Sequence, residues 1–254
     1  MCVKIQPVTS VDVVVPVYNE ERDLPKSIPV LRDFLAGSSF PYEWRIVIAD
    51  NASIDGTPAV GRKLAEANPS KVVYVRIERK GRGFALKQTW LASPMDVVSY
   101  MDVDLSTGLG AFPALIGAIA DDGYDIAIGS RLATASRINR SLKRRVLTRG
   151  YNALIKGMFL TRFSDAQCGF KAISREAAQQ IVPLIEDNNW FFDTELLILG
   201  EKLGYRVKDV PVEWVEDPDT RVKIGATVME DLRGLARLRA GRPWRRAEGV
   251  RRSA

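Results

Sequence analysis

Two aspartates separated by one residue are the first candidates for chemistry in this sequence. An apolar run ends at Met101 and leads directly into Asp102-Val103-Asp104. If the chain stays extended there, alternation places both carboxylates on one face at the strand's carboxyl end. Adjacent carboxylates repel each other, and hard oxygen ligands suit Mg2+ or Mn2+ shared with a substrate's phosphates. The spacing alone fits a divalent-metal site and, equally, two solvated acids at a strand end.

The sequence contains no histidine. This excludes the Ser-His and Cys-His nucleophile systems, every histidine-containing zinc site and the commonest general base. The two cysteines, Cys2 and Cys168, match no metal-binding spacing, and we expect no disulfide between them. Any chemistry must therefore run on carboxylates, cations and bound metal.

The net charge of +6 is concentrated in two basic segments. Residues 137–149 contain six basic residues and no acid, and residues 239–252 contain six against one glutamate. Such segments attract phosphates on nucleotides, on nucleic acid or on an anionic membrane surface. The sequence has no uncharged apolar run of about 18 residues and no charged-then-apolar leader. We therefore expect neither a membrane span nor a secretory signal, and a cytoplasmic protein.

Strands and helices alternate along most of the chain. This alternation predicts an α/β fold with a mainly parallel sheet and helices on both faces, whose strand carboxyl ends bind ligands. We expect one catalytic domain over residues 1–238 and a basic, mobile tail over 239–254. Predicted strands lie at 11–17, 44–49, 72–77, in the run ending at Met101, at 124–128 and at 207–214. Predicted helices lie from the segment Tyr18-Asn19-Glu20-Glu21 to about residue 35, at 58–67, 84–91, 141–160, 175–185 and 192–203.

The basic helix predicted over residues 141–160 carries an apolar stripe. Its members are Leu142, Leu147, Tyr151, Leu154, Ile155, Met158 and Phe159. A helix with basic residues beside such a stripe can lie on a membrane surface. It can equally pack on the sheet with its charges in water, and the pattern does not separate these alternatives.

Seven motifs occur in one order along the chain. They are Val15-Pro16-Val17-Tyr18-Asn19-Glu20, the Asp50 to Thr57 loop, Lys80-Gly81-Arg82-Gly83, Met101-Asp102-Val103-Asp104, Gly129-Ser130-Arg131, Asp165-Ala166-Gln167-Cys168-Gly169-Phe170-Lys171 and Phe192-Asp193-Thr194-Glu195. In that order they resemble the GT-A glycosyltransferases of family 2, and within it the polyprenyl (dolichyl) phosphate mannosyl- and glucosyltransferases. The resemblance covers roughly residues 11 to 224.

The resemblance implies a GT-A fold and a metal-dependent hexosyltransferase that uses a nucleotide sugar such as GDP-mannose or UDP-glucose. Asp102 and Asp104 would hold Mg2+ or Mn2+ on the diphosphate, and Arg131 would lie near the phosphates. Glu20 would accept hydrogen bonds from ribose hydroxyls and Asp50 from the ring N–H of the base. The implied donor-binding residues are Pro16, Tyr18, Glu20, Asp50, Lys80, Gly81, Gly83, Asp102 and Val103.

The resemblance also implies polyprenyl phosphate as the acceptor. That phosphate is already anionic at pH 7, so an inverting attack needs positioning and charge management rather than a general base, in keeping with the lack of histidine. The candidate residues for binding the acceptor phosphate are Arg131, Arg140, Lys143, Arg144 and Arg149. No nucleic-acid partner is expected.

The sequence departs from this family in two respects. Ser106 stands where many relatives carry a glutamine that ligates the metal, so the metal site is expected to be weaker or completed by water. Many relatives also carry C-terminal membrane helices that this chain lacks. Access to a lipid would then depend on residues 138–160 and the basic tail, acting at the cytoplasmic membrane face, or on a separate membrane partner.

Two other functions remain open at the level of the sequence. One keeps the fold and donor but uses a soluble hydroxyl acceptor, with Asp193 or Glu195 as the base or as a sugar contact. The other is a basic surface-binding protein with an inactive nucleotide pocket. Transfer of a labelled sugar to polyprenyl phosphate would distinguish the first alternative, and metal-independent nucleotide binding without turnover would indicate the second.

Overall fold

A seven-stranded sheet with helices on both faces forms the body of the protein, and a two-stranded sheet lies beside it. The computed structural model describes residues 8–139, 142–215 and 224–247. The strands are β1 Ser10–Val17, β2 Glu43–Asn51, β3 Val72–Ile77, β4 Val97–Met101, β5 Ile126–Ser130, β6 Arg137–Asn139, β7 Phe170–Ser174, β8 Val207–Pro211 and β9 Glu213–Val215. The helices are α1 Leu24–Leu35, α2 Thr57–Ala67, α3 Arg82–Ala92, α4 Phe112–Ala120, α5 Leu142–Phe159, α6 Arg175–Ile181, α7 Phe192–Lys202 and α8 Ile224–Gly241. Short 3-10 turns occupy Leu109–Ala111, Val182–Leu184 and Pro243–Arg245.

The strand order of the large sheet is β3-β2-β1-β4-β7-β5-β8. Strand β1 runs parallel to β2 and β4, whereas β7 runs antiparallel to both β4 and β5. This order confirms the prediction of a mainly parallel α/β sheet. It also brings the carboxyl ends of β1, β2 and β4 together at one edge, where the predicted site residues follow the strands.

Two apolar layers, one on each face, hold the helices to the sheet. Strand β1 is buried on both sides, and its β-branched valines suit a central strand covered by helices. On one face α1 and α4 pack through residues such as Ile28 and Phe112. On the other face α3, α6 and α7 pack through residues such as Trp90 and Phe192. The site therefore stands on a rigid base.

The first helix begins later than the sequence predicts. The segment from Tyr18 to Glu21 is a turn, and α1 begins at Leu24. Asn19 adopts a left-handed backbone conformation (φ 57°), which a right-handed helix does not allow. This part of the prediction was wrong because the asparagine forms a turn instead of a helix cap.

Strand β7 was not predicted. No strand was predicted between residues 128 and 207, but β7 begins at Phe170 and pairs with β4 and β5. The single strand predicted at 207–214 is divided at Val212, and its second part, β9, pairs with β6 in the small sheet. Short strands that pair over long sequence separations leave little periodicity for sequence reasoning to use.

Helix α5 confirms the prediction of a helix in this region. Ile155 and Phe159 are buried in the core, whereas Leu147 and Leu154 are 45% and 40% exposed. The predicted stripe therefore divides between packing and solvent. No helix in the described ranges is both long enough and apolar enough to span a bilayer.

Helix α8 extends three residues beyond the predicted domain boundary at residue 238. Trp244 follows it and packs edge-on against Phe159 of α5, with ring centroids 6.0 Å apart. Residues 248–254 of the predicted tail lie outside the described residues. The domain division and the mobility of the tail remain predictions.

Candidate active site

The pair Asp102 and Asp104 lies in a turn immediately after β4. The strand ends at Met101, and the amide of Leu105 donates to the carbonyl of Asp102 at 3.2 Å. The expected extended geometry was therefore wrong, because the chain turns before alternation could align the two side chains. Asp104 is exposed, and its Oδ1 accepts a hydrogen bond from the Ser106 amide at 2.9 Å. Val103, between them, packs against the core.

Asp102 fits against a position that has no side chain. A Cβ atom at Gly169 would lie 1.8 Å from Oδ2 of Asp102, so no larger residue can stand there while the carboxylate keeps its place. The amide of Asp102 also donates to the carbonyl of Gly169 at 3.3 Å. The Gln167-Cys168-Gly169 segment thus forms one wall of the carboxylate's site.

Arg82, the first residue of α3, forms the opposite wall. One of its terminal nitrogens lies 2.8 Å from Oδ1 of Asp102, and the other lies 2.7 Å from Oδ2 of Asp193. The guanidinium is also stacked near the rings of Tyr100 and Trp190, with centroid distances of 4.8 and 4.9 Å. This arginine joins two of the predicted site residues, which are 91 positions apart in the sequence.

Asp193 belongs to a buried polar cluster. It accepts a hydrogen bond from the hydroxyl of Tyr100, and the ammonium of Lys171 lies 2.9 Å from its Oδ1. Burial would raise the pKa of Asp193, but Lys171 and Arg82 outweigh burial and hold this pKa below its ordinary value. Burial and Asp193 raise the pKa of Tyr100. A carboxylate held ionised by three donors is poorly suited to remove a proton.

Glu195, the other candidate base, lies in a different environment. Its carboxylate is fully buried and faces Arg237 of α8, with a shortest distance of 2.7 Å. It also accepts hydrogen bonds from the amides of Glu186 and Asp187 at 3.3 and 3.0 Å. These contacts anchor α7 to its neighbours, so the structure does not bring Glu195 together with Asp102.

Asp50, at the carboxyl end of β2, is fully buried. Tyr74 and Arg76 donate to its Oδ2 at 2.6 and 2.8 Å, and the Ser53 amide donates to Oδ1 at 2.9 Å. Burial would raise the pKa of Asp50, but these hydrogen bonds lower it, while burial and Asp50 raise the pKa of Tyr74 to about 12. Direct recognition of a base by Asp50 would require one of these donors to move.

The loops after β1 and β2 are joined by hydrogen bonds. The side chain of Asn19 accepts from the Ile54 amide at 2.9 Å, and the amide of Glu20 donates to the Thr57 hydroxyl at 2.8 Å. Pro16 lies in β1 beyond Val14, the last residue paired with β4, so its missing amide leaves no gap in that ladder. The loops that carry the predicted donor residues are therefore one connected unit.

The Lys80-Gly81 segment reaches this unit from β3. The ammonium of Lys80 lies 3.6 Å from the centroid of the Tyr18 ring, and the amide of Gly81 donates to the side chain of Asn51 at 2.7 Å. A Cβ at Gly81 or Gly83 would lie 2.6 Å from Asn188 or Phe192. Both glycines are thus required by close packing beneath the site.

Arg131 forms a bidentate ion pair with Asp165. Its Nε and a terminal nitrogen lie 2.7 and 2.9 Å from the two carboxylate oxygens. Burial alone would lower the pKa of Arg131, but the nearby Asp165 carboxylate outweighs burial and raises this pKa. Burial alone would raise the pKa of Asp165, but Arg131 outweighs burial and lowers that pKa. The guanidinium also lies 5.7 Å from the centroid of the Trp214 ring. Arg131 is thus rigidly held, with Asp102 near enough to influence its pKa.

The remaining acceptor candidates are only partly described. Arg140 lies outside the described residues, as do the side chains of Lys143 and Arg144, although the last two belong to α5. Arg149 is exposed on α5. The structure therefore places Arg131 near Asp102 and leaves the grouping of the other four as a prediction.

The donor atoms near Asp102 fit a divalent cation that is shared with a substrate. Asp102 and Asp104 supply hard carboxylate oxygens, the kind that Mg2+ and Mn2+ prefer. No group of three or more acidic or cysteine side chains suited to a metal occurs in the described part of the chain. A diphosphate and water would have to complete the coordination, as is usual for metal bound with a nucleotide.

Comparison with known proteins identifies the family. The family model described as "Glycosyl transferase family 2" matches residues 12–182, which include most of β1, all of β2 to β4, the aspartate pair, Arg131 and Gly169. The chain belongs to glycosyl transferase family 2. The predicted family membership is thereby confirmed.

Several curated relatives of this family 2 chain are similar over most of its length. Glycosyltransferase AglD of Haloferax volcanii is 35% identical over 229 residues, which cover 89% of the chain and 35% of the relative. The dolichyl-phosphate beta-glucosyltransferase of Drosophila melanogaster is 31% identical, with 83% of the chain and 68% of the relative covered. The corresponding protein ALG5C of Trichomonas vaginalis is 30% identical, with 85% and 66% covered. The chain thus spans about a third to two thirds of these relatives.

Solved structures show the same fold at lower identity. The glucosyl-3-phosphoglycerate synthase of Mycobacterium tuberculosis, crystallised with Mn2+, UDP and glucosyl-3-phosphoglycerate, superposes with a TM-score of 0.67 at 22% identity. The match covers 92% of this family 2 chain and 81% of the synthase. This likeness confirms the predicted GT-A fold.

The sequence analysis left some important site residues of this family 2 chain without a role. Arg82, Asp165, Gly169 and Lys171 all lie inside motifs that were recognised, but each of them contacts a residue of a different motif. The available signal was the charge of three of these residues. Arg82 stands between two glycines, and Asp165 and Lys171 stand on either side of Cys168-Gly169. Charged residues inside such motifs indicate ionic partners elsewhere in the fold. Tyr100 gave no signal, because an aromatic residue in a buried strand is ordinary.

Proposed function

We propose that this protein is an inverting hexosyltransferase that moves a sugar from a nucleotide diphosphate to polyprenyl phosphate, with a divalent metal. The observation that carries the proposal is the environment of Asp102. This carboxylate follows β4, fits against Gly169 and meets a largely buried arginine (11% exposed), with the exposed Asp104 two residues later. Such an arrangement suits the handling of a diphosphate better than acid–base chemistry.

UDP-glucose is the donor that we propose to test first. The relatives in Drosophila and Trichomonas are named as dolichyl-phosphate glucosyltransferases, and the Mycobacterium synthase of the same fold was crystallised with UDP. The loops that carry Tyr18, Glu20 and Lys80 form a preformed edge for the nucleoside. GDP-mannose remains the alternative donor.

Asp102 and Asp104 are the residues that would hold the metal. When bound, Mg2+ or Mn2+ supplies Lewis-acid stabilisation of the leaving nucleoside diphosphate. Lys80 and Arg82 contribute positive charge around the same phosphates, and the low exposure of the Arg82 side chain strengthens its contribution. Arg131, fixed by Asp165, orients an anionic group near the reacting carbon.

The state of the two candidate bases favours a phosphate acceptor. Asp193 is held ionised by Tyr100, Lys171 and Arg82, and its pKa is lowered. Glu195 is buried against Arg237. A hydroxyl acceptor needs a base to take its proton, whereas a phosphate monoanion or dianion attacks without one. Neither of the two candidate bases, Asp193 and Glu195, is therefore suited to remove a proton from a hydroxyl acceptor.

We also propose that the protein works at a membrane surface. The α5 helix presents exposed Val146, Leu147 and Leu154 together with exposed Arg145 and Arg149. Apolar side chains beside basic ones suit peripheral binding to an anionic leaflet. Its location on the cytoplasmic face, and the alternative of a separate membrane partner, stay predictions.

A transfer assay tests the proposal directly. Purified protein, Mn2+ and labelled UDP-glucose are incubated with a short-chain polyprenyl phosphate or with 3-phosphoglycerate, and the products are separated by extraction. We expect label in the lipid phase only, with inverted anomeric configuration. Label in phosphoglycerate alone would instead establish the soluble-acceptor function, and nucleotide binding without any transfer would support a surface-binding protein.

Asp104→Asn is the matched test of the metal site. Because Asp104 is exposed, the variant should fold normally, while transfer should fall by on the order of 100-fold or more through loss of a metal ligand. Asp33→Asn removes another exposed acid, which lies in α1, and should leave transfer unchanged. Full activity of Asp104→Asn in the presence of a chelator would contradict metal dependence.

A further inference from the structure

We propose that Arg82 occupies the metal-binding carboxylate in the free protein, so that the metal enters together with the donor's diphosphate. The inference rests on the proposed function, because it takes Asp102 as a metal ligand. It concerns the order of binding, which the family assignment leaves open. Its basis is that one guanidinium and one metal ion require the same oxygen.

The guanidinium of Arg82 takes the place at Asp102 that a metal ion would occupy. It lies 2.8 Å from Oδ1, while the other oxygen, Oδ2, faces the Cα of Gly169, which carries no side chain. The Arg82 side chain is only 11% exposed, so its charge is poorly hydrated and its ion pair is stronger than one in water. A metal ion that arrives alone must displace this group from Asp102, and Arg82 then loses one of its two carboxylate contacts without a replacement.

Arg82 is held where it can release Asp102 without leaving the site. Its other terminal nitrogen lies 2.7 Å from Asp193, and the guanidinium lies within 5 Å of the ring centroids of Trp190 and Tyr100. The start of α3 is itself fixed, since the Phe84 amide donates to the carbonyl of Asn188 at 2.9 Å. A small rotation of the side chain therefore frees Oδ1 while the contact with Asp193 remains.

A diphosphate changes the balance in favour of the metal. Its negative charge gives the released N–H groups of Arg82 a new acceptor, and Arg–phosphate hydrogen bonds are charge-assisted. The metal then gains both the carboxylate and the phosphate oxygens. Metal and nucleotide should consequently strengthen each other's binding, and linkage requires this coupling to be reciprocal.

The test measures Mn2+ binding by the electron paramagnetic resonance signal of free Mn2+, with and without UDP. For the parent we expect weak binding of Mn2+ alone and much tighter binding with UDP. Arg82→Met keeps an unbranched side chain at this position but removes the guanidinium and its charge. This variant should bind Mn2+ alone on the order of ten-fold more tightly, because a charge-assisted contact no longer competes. The enhancement by UDP should shrink accordingly.

Arg79→Met is the matched control. Arg79 precedes Arg82 by three residues, is exposed and stacks on the Phe84 ring at 4.9 Å. Its replacement changes the net charge equally but removes no contact with Asp102. We expect its Mn2+ affinity to equal that of the parent, and an increase as large as that of Arg82→Met would overturn the inference in favour of a general charge effect.

Two further variants keep the outcomes distinct. Arg82→Lys retains the charge but has a single ammonium to contact two acids. Its affinity for Mn2+ alone should therefore lie between those of the parent and Arg82→Met. If Arg82→Met fails to fold, Arg82→Lys alone tests the inference. Asp102→Asn should abolish the binding of Mn2+ with UDP, and survival of that binding would refute the metal site of the proposed function itself. If Asp102→Asn abolishes binding but neither Arg82 variant gains affinity for Mn2+ alone, the Arg82 inference is wrong and the metal site stands.

Discussion

The position of the Asp102 carboxylate depends on a residue 67 places later in the chain. Gly169 lies in the loop before β7, which pairs with β4 directly beside the aspartate. Because the carboxylate fills the space of a side chain, the two residues cannot be varied independently. A small change at 169 is therefore a direct probe of the geometry at 102.

Gly169→Ala should lower transfer activity and donor affinity strongly, by on the order of 100-fold. The added Cβ would lie 1.8 Å from Oδ2, so the carboxylate must rotate away from the metal and from Arg82. Loss of stability should be modest, because Asp102 is 41% exposed on its side chain and can move toward solvent. Calorimetric titration with UDP and Mn2+, alongside the transfer assay, measures the effect.

Gly157→Ala serves as the control for this substitution. Gly157 lies within α5, and a Cβ there would meet nothing within 4 Å. Alanine in a helix interior is favoured over glycine by roughly 0.5 to 1 kcal/mol, so the control should be slightly more stable and fully active. Wild-type activity in Gly169→Ala would show that Asp102 does not need its observed position.

The sequence predicted the identity of several site residues, but it did not predict the contacts between them. Asp102, Arg131 and Asp193 were identified; Arg82 joins Asp102 to Asp193, and Asp102 is near enough to Arg131 to influence its pKa. Their partners were not identified, because the contact between Arg82 and Asp193 spans 111 positions and no local pattern encodes it. The role of Asp50 was inferred without Tyr74 and Arg76, which surround it in the fold.

The two acidic residues in the first turn of α7, Asp193 and Glu195, lie in different environments. Asp193 joins the cluster beside the site, whereas Glu195, two residues later, faces Arg237 of α8. A helix turns by about 200° over two residues, so the two side chains must face different neighbours. The spacing alone therefore indicates that at most one of the two candidate bases, Asp193 or Glu195, faces the site.

Glu195→Gln should destabilise the protein while leaving its chemistry largely intact. The change leaves Arg237 without its buried partner, and Arg237 is about one third exposed, so we expect a loss on the order of 2 kcal/mol in the free energy of unfolding. Urea denaturation measures this loss. Transfer per folded molecule should stay within a few-fold of the parent. A stable variant without activity would instead support Glu195 as the catalytic base.

Helix α8 is attached to the loop that shapes the site. The side-chain amide of Gln167 donates to Asp231 of α8 at 2.6 Å. Asp231 is buried, and this burial raises its pKa from 3.8 to about 7. The folded state therefore binds a proton at Asp231 between about pH 4 and pH 7, where the unfolded chain has released it.

Asp231→Asn should remove a pH dependence of stability. In the parent, the contribution of Asp231 is most favourable at low pH and declines as pH rises from about 4 to about 7, because the folded state retains more protons than the unfolded chain there. Asparagine keeps an acceptor for Gln167 and has no charge to desolvate. We expect melting temperatures to be equal at pH 5 and the variant to be more stable at pH 8, by on the order of 2 kcal/mol. Parallel pH profiles of parent and variant would contradict the raised pKa.

Several elements were predicted closely, whereas the helices α4 and α8 and the short strands β6, β7 and β9 were not predicted as elements of their own. Strand β3 and helix α5 match their predicted positions within two residues, because β3 is a run of mostly β-branched residues and α5 carries an apolar stripe over its whole length. Strands β7 and β9 have five and three residues and depend on partners distant in sequence. The turn at Asn19 was mistaken for a helix start, since asparagine suits both a helix cap and a left-handed turn.

At the scale of the whole molecule, excess positive charge and exposed apolar surface meet on α5. Val146 is 64% exposed, Leu147 and Leu154 are also exposed, and Arg145 and Arg149 accompany them on the same helix. The opposite side of the helix packs into the core through Ile155 and Phe159. Apolar residues that packing leaves uncovered beside cations suit an anionic, hydrophobic surface. This arrangement leads to a prediction about membrane binding.

Neutralising Arg145 and Arg149 together, as Arg145→Gln and Arg149→Gln, should weaken association with anionic vesicles. Each basic residue near such a surface contributes about 1 kcal/mol, so the double variant should lose roughly 30-fold in vesicle affinity at low salt, and the difference should shrink as salt rises. Co-sedimentation with phosphatidylserine vesicles measures the affinity.

Arg62→Gln with Lys63→Gln on α2 is the control: it removes the same charge from another exposed surface and should change vesicle affinity little. Hydrolysis of UDP-glucose by water should be equal in all three proteins, because it needs only the donor site, whereas transfer to vesicle-borne polyprenyl phosphate should fall in the α5 variant. If both double variants bind vesicles and transfer sugar as well as the parent, the basic residues of α5 are merely solvated, and the acceptor must approach through another surface.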